Sequence, residues 1–170
     1  CGQWISPSDI YLEGIDRLEL PDFEYASRMG RSIKLIARMR RVEERGNNYL
    51  QAFVLPMMLP RETVLSKING STNALSFKGR FSEDISLIGK GAGSLPTASA
   101  IVSDLNRVAR NEKPIPLPLN TDLFQLMSFN ESFFRHTLRF EVYDEPGIVG
   151  MIGKILAESG INIYALEQLP

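Results

Sequence analysis

Glycines cluster once in this chain in a way that bears on chemistry. The run Gly89-Lys90-Gly91-Ala92-Gly93 is followed by Ser94, Leu95, Pro96 and Thr97, and it separates a strand-like stretch from a helix-like one. Backbone N–H groups at such a junction meet an anion or a flat ligand with no side chain in the way. Ser94 or Thr97 is of a type that caps the helix. As a dinucleotide fingerprint the run is incomplete, because Ser94 holds the sixth position of G-x-G-x-x-G and no opening βαβ unit surrounds it. It is not a P-loop either, since Gly91 follows Lys90 where Ser or Thr belongs. By residue type, the turn is either a ligand-facing backbone or only a tight connection.

The second candidate is Asp144-Glu145-Pro146-Gly147-Ile148. A carboxylate at a helix entrance either caps that helix or receives the amino group of a free amino acid whose carboxylate meets the helix N–H groups. Residue physics alone favours Asp144 as N-cap, with Pro146 in the first turn. His136 is the single histidine and Cys1 the single cysteine. That supply excludes metal, Ser-His-Asp and Cys-His sites, and His136 reads as structural. Arg31, Arg38, Arg40, Arg41 and Arg45 fall on one hairpin. Glu43 and Glu44 interleave with them and no aromatic ladder accompanies them, so a solvated strand face is expected rather than a nucleic-acid surface.

The elements that must position these groups are legible from periodicity. Gly14 to Leu18 reads as a short strand, and Pro21 and Asp22 open a helix that ends at Gly30. Ile33, Leu35, Ala37 and Met39 alternate with more polar residues, which predicts a strand with one buried face. Gly46, Asn47 and Asn48 turn the chain into a second strand, Tyr49 to Leu55. Pro60 to Ile68 predicts a short helix or turn, and Asn73 to Phe77 and Asp84 to Ile88 predict two further strands. Ala98, Ile101, Val102, Leu105, Val108 and Ala109 fall at helical spacing. The sum is α+β, a mostly antiparallel sheet covered by helices, spanning residues 1–110.

Pro114, Pro116 and Pro118 mark a Pro-rich linker over residues 111–135, with Leu123, Phe124, Leu126 and Phe129 expected to dock it. From 136 to 170 a new pattern begins. Leu138, Phe140 and Val142 alternate as a strand; Ile148, Val149, Ile152, Ile155 and Leu156 form a helical stripe ended by Gly160; Ile161, Ile163 and Ala165 alternate again. The unit reads β-α-β.

Bulk composition narrows the partners. The 170 residues are 44% hydrophobic and 23% charged with net charge −1, so no global field draws the chain to nucleic acid or membrane. No apolar run reaches the length of a membrane span. One cysteine excludes an internal disulfide and fits a reducing cytoplasm. Position 1 is Cys rather than Met, and the chain is expected to start at a cut or processed end.

With these segments in hand, a resemblance emerges. LEGIDRLELPDFEYASRMGRSIKLIA (Leu12 to Ala37), NGSTNAL (Asn69 to Leu75) and GKGAGSLPTASAIVSDL (Gly89 to Leu105) resemble, in order, the stretch of homoserine dehydrogenases that follows their catalytic helix. HTLRFEVYDEPGIVGMIGKILAESGINI (His136 to Ile163) is similar to the opening of an ACT domain, which many of these enzymes append. Members usually carry proline where Lys90 stands.

The resemblance implies interconversion of homoserine and aspartate 4-semialdehyde by hydride transfer with NADP or NAD, in the route to threonine, methionine and isoleucine. It implies that Gly91, Ala92 and Gly93 lie on the cofactor side of the cleft, and that Asp144, Pro146, Gly147 and Ile148 bind a regulatory amino acid such as threonine. It also implies a homodimer paired through the catalytic-domain sheet. Such chemistry needs a proton-transfer lysine, which the family carries as Asp-x-x-x-Lys upstream of this region. No Asp here is followed four residues later by Lys, so no catalytic residue is expected in the chain, and Lys34 belongs to the strand motif. The expectation is a piece of the enzyme, inactive alone, ending in a partial ferredoxin-like ACT unit. The alternative is a non-enzymatic ACT-type module that binds an amino acid.

Overall fold

The computed structural model describes residues 3–79, 81–114, 124–131 and 134–168. Pro116, Pro118 and Leu123 of the Pro-rich segment lie outside them. The chain divides into two compact units, Cys1–Phe133 and Phe134–Pro170. It is an α+β protein.

The first unit is organised by a long hairpin. Strand β2 (Arg31–Glu44) runs antiparallel to β3 (Asn47–Pro60), with Arg31 opposite Pro60 and Glu44 opposite Asn47. Arg45 and Gly46 close it with φ of 51° and 79°. Two successive positive φ values make the primed turn whose twist matches that of paired strands. The reversal thus falls one residue earlier than expected, and Asn47 and Asn48 join the ladder.

On the free edge of β3, β1 (Tyr11–Leu12) and β6 (Gln125–Leu126) pair side by side, both parallel. The sheet is therefore mixed, with β3 at its centre. That explains where the core sits: Leu50, Gln51 and Phe53 of β3 are each 1% exposed, whereas Leu35 and Met39 of β2 remain about half exposed, at 51% and 52%. The face predicted from Ile33, Leu35, Ala37 and Met39 exists as one side of the sheet; among the described residues it is covered at Leu50, opposite Arg41, and left exposed at Leu35, Ala37 and Met39. The expected strand at Gly14 to Leu18 lies earlier, at β1; residues 15–18 instead turn, Leu18 N–H donating to the Ile15 carbonyl at 3.1 Å.

Helix α1 (Leu20–Arg28) opens with a capping box, Asp22 accepting the Glu19 N–H at 2.8 Å, and leaves through Gly30 at φ 67°. It packs on β2 and buries Ala26. The apolar residues of the connector dock as their side chains require. Phe129 stacks on Tyr11 at 3.9 Å and meets Phe53 edge-on at 5.9 Å, while Arg41 lies over Phe124 at 4.6 Å.

A separate antiparallel hairpin, β4 (Thr72–Lys78) and β5 (Asp84–Lys90), leads to helix α2 (Ser94–Ala109). The helix forms on the predicted periodicity, yet none of its residues is buried and Leu95, Leu105 and Val108 stay largely exposed. It ends on Asn111 at φ 54°: Asn111 N–H donates to Val108 and Glu112 N–H to Arg107, at 2.9 and 3.0 Å.

In the second unit, helix α3 (Ile148–Glu158) closes with Gly160 at φ 71°, where Ile161 N–H reaches the Leu156 carbonyl at 2.9 Å. The flanking segments expected as strands, residues 137–143 and 161–165, form no ladder among the described residues. A strand is defined by its ladder with a neighbour, and neither segment is paired in a ladder there.

Candidate functional site

The turn Gly91–Gly93 stands where β5 ends and α2 begins. The last ladder pair of the hairpin is Thr72 with Lys90, and Gly91 N–H then donates to the Ser71 carbonyl at 3.1 Å. A Cβ at Gly91 would fall on the Asn73 amide nitrogen and 3.0 Å from its Cγ, so a larger residue here must push aside the end of that exposed side chain. Gly93 is the N-cap of α2 with φ 119° and ψ 156°, a region essentially closed to residues with a Cβ.

The expected cap at Ser94 or Thr97 is not made. Ser94 is already the first helical residue, and Thr97 turns its hydroxyl back to donate to the Gly93 carbonyl at 2.8 Å. Pro96 has no N–H to offer. Ser94 and Leu95 N–H groups therefore point out of the first turn without a capping side chain, at the positive end of the helix dipole. The amides of Ala92 and Gly93 likewise have no backbone acceptor among the described residues. A shallow depression of about 400 Å³ borders the turn, lined by Asn73, Leu75, Leu87, Gly89, Lys90 and Gly91 among others. The larger depression, about 610 Å³, lies at the hairpin's far end around Phe81 and brings together no such donors.

Asp144 is displaced from its predicted role. The N-cap of α3 is Gly147, left-handed at φ 95°, which puts Asp144 three residues ahead of the cap and Pro146 outside the helix. Glu145 N–H donates to Tyr143 and Ile148 N–H to Glu145, at 3.0 and 3.4 Å, so the turn is closed by its own backbone. The cap position is left-handed, a conformation glycine adopts without steric cost, and it carries no side-chain cap bond. Asp144, Pro146, Gly147 and Ile148 are contiguous, with the first-turn amides of α3 free of a side-chain cap.

The arginines divide between the two sides of the β2–β3 sheet. Arg41 lies over Phe124, while Arg40 Nε donates to the Gln51 carboxamide at 2.6 Å. Burial, and then the neighbouring Arg40 charge, loosen the hold of Arg38 on its proton relative to a free guanidinium. No cluster of three metal-ligating side chains occurs among the described residues, and no described helix is long and apolar enough to cross a membrane.

Two contacts at this site were not readable from residue types. Lys34 Nζ donates to the Ile68 carbonyl at 2.6 Å and to Asn69 Oδ1 at 2.8 Å. Asn73, from the same NGSTNAL stretch, roofs Gly91. The three segments IKL, NGSTNAL and GAG, far apart in sequence, are thus neighbours in space.

A family model described as homoserine dehydrogenase matches residues 1–105. The chain belongs to the homoserine dehydrogenase family. The homoserine dehydrogenase of Neisseria gonorrhoeae is 31% identical over 170 residues, covering 95% of this chain and 38% of that protein. That of Helicobacter pylori is 33% identical over 161 residues, 94% of this chain and 37% of that protein. Among solved structures, a homoserine dehydrogenase from Thiobacillus denitrificans superposes with a TM-score of 0.66 at 30% identity, over 95% of this chain and 38% of its own. One from S. aureus at pH 7.0 gives 0.54 at 35% identity, over 70% of this chain and 29% of its own. The chain thus spans somewhat over a third of the length of the homoserine dehydrogenases it matches in sequence.

Proposed function

We propose that this chain forms part of an NAD(P)-dependent homoserine dehydrogenase, contributing sheet, support and the turn that faces the cofactor. The observation that carries the reading is the Gly91–Gly93 junction: glycines flanking Ala92, one at a glycine-only φ, with N–H groups at a helix start that have neither a capping side chain nor a backbone acceptor among the described residues. Ala92, Gly93, Ser94 and Leu95 would hold an oxygen-rich part of the dinucleotide. The nicotinamide supplies the hydride acceptor when bound. These residues orient it and take no proton.

The proton-transfer lysine is not among them, because the required Asp-x-x-x-Lys spacing does not occur in the sequence. By itself the chain is expected to leave homoserine unoxidised; NAD(P)-dependent turnover by these residues alone would sink that reading. In the intact enzyme that carries this segment, Gly91→Ala and Gly93→Ala are expected to raise the nucleotide KM more than they lower kcat. Unchanged nucleotide KM in both variants would remove the turn from the cofactor site.

The same family reading proposes a homodimer, and the half-open β2–β3 face bearing Leu35 and Met39 suits it. It also proposes cytoplasmic residence, in keeping with a single cysteine. For the second unit we propose an ACT-type amino-acid site at residues 144–148. The supporting observation is the uncapped start of α3 behind Gly147, with the Asp144 carboxylate ahead of it. Calorimetry with threonine on the wild type and on Asp144→Ala tests this: heat lost in the variant supports the site, and no heat in either removes it.

A further inference from the structure

The β4–β5 hairpin that carries the Gly91–Gly93 turn packs mainly within itself, so its place relative to the long hairpin depends on what joins them. The joining segment, residues 60–69, is braced throughout. Arg61 N–H donates to Gly30 at 3.1 Å, and Arg61 Nη2 to the Ser27 hydroxyl at 2.6 Å. The buried Ser66 hydroxyl lies 2.9 Å from the Arg61 carbonyl and 2.7 Å from that of Thr63.

The far end of this segment is held by one cation. Lys34, within β2, spans the Ile68 carbonyl and the Asn69 side chain at 2.6 and 2.8 Å, and Asn69 passes its own amide to the Lys67 carbonyl at 3.0 Å. From there the path to the turn is short: Thr72 N–H donates to Asn69 at 3.3 Å, and Gly91 N–H to Ser71 at 3.1 Å. Charge-assisted bonds of this kind are about twice as strong as neutral ones.

We propose that Lys34 is a positioning residue, whose ammonium pins residues 68–69 to β2 and thereby sets where the Gly91–Gly93 turn stands. It exchanges no proton with substrate. Only its consequence for nucleotide binding rests on the cofactor reading of that turn.

The test is amide hydrogen exchange on the wild-type chain, Lys34→Met and Lys34→Arg. Lys34→Met is expected to speed exchange of Gly91 and the β4–β5 amides about tenfold while leaving the β2–β3 ladder unchanged. Lys34→Arg, which keeps the charge and several donors, is expected to recover part of the protection. Unchanged exchange overturns the proposal, and so does a uniform acceleration over both hairpins, which would mark a general stability loss. In the intact enzyme, Lys34→Met is expected to raise the nucleotide KM about tenfold with kcat and pH profile retained. A collapse of kcat with an altered pH profile would make Lys34 a proton donor and overturn the proposal. If Gly91→Ala leaves the nucleotide KM untouched, the cofactor reading fails while the exchange result still decides Lys34.

Discussion

Gly91 and Gly93 are glycines for different physical reasons, and the difference is measurable. At Gly93 the obstacle is backbone: a Cβ would lie 3.5 Å from Pro96 Cδ, an ordinary contact, but φ 119° belongs to glycine. Gly93→Ala should lower stability of the first unit by about 1–3 kcal/mol in urea titration, and no neighbouring truncation should restore it. At Gly91 the obstacle is the Asn73 side chain. Gly91→Ala should cost about 0.5 kcal/mol as that exposed side chain shifts, and adding Asn73→Ala should restore most of it. A Gly91→Ala cost that persists in the double variant would mean that Asn73 is not what the methyl group meets. The need for glycines at this turn was legible from sequence. The identity of the residue above Gly91 was not, since Asn73 reaches it only through strand pairing. Asp144 shows the opposite failure: its type fits a cap so well that the cap was placed three residues early, and Gly147 took the position because the chain enters α3 through a left-handed residue.

Among the elements, periodicity located β2, α2 and α3, because a 3.6-residue or two-residue repeat is written locally, while start, stop and turn residues located α1 and β3. Exact ends depended on turn chemistry. The β2–β3 reversal uses Arg45 at φ 51° beside Gly46, although Asn47 and Asn48 look better suited. Extending both strands to fourteen residues engages the two asparagines in ladder bonds, which outweighs one unfavourable arginine. Arg45→Gly should therefore stabilise the hairpin by about 0.5–1 kcal/mol, seen as a higher melting temperature. At the end of α2, Asn111 holds the left-handed C′ position. Asn111→Val should cost about 1 kcal/mol and Asn111→Gly should not; equal effects would show that the backbone conformation there is not what selects asparagine.

On the scale of the whole molecule, family and fold class were legible and burial was not. Alternation along β2 says which residues share a face, but only the strand's place in the sheet says whether that face is covered. β3 is flanked on both edges and buries Leu50, Gln51 and Phe53; among the described residues β2 has a neighbour on one side alone, and Leu35 and Met39 stay half open. If this face pairs with a second copy as proposed, the double variant Leu35→Lys, Met39→Lys should sediment as a monomer at concentrations where the wild type sediments as a dimer. Equal behaviour would remove the face from the interface. In the second unit the alternating segments 137–143 and 161–165 carry strand patterning without ladder partners. The amides of residues 140–142 and 162–165 should exchange near the unprotected rate while those of α3 lag behind; protection there would reveal a neighbour that receives them.

The arrangement around β3 also dictates an order of assembly. The β2–β3 pairing closes through a two-residue turn and needs no distant segment, so it can form early. The other edge of β3 waits for pieces from opposite ends of the first unit. β1 and β6 dock side by side, and the Gln3 carboxamide clasps the Phe124 backbone in both directions across 121 residues of sequence, at 3.0 and 2.7 Å. Bringing such remote segments together spends chain entropy before it gains contact energy, so this clasp should zip last during refolding and fray first on warming.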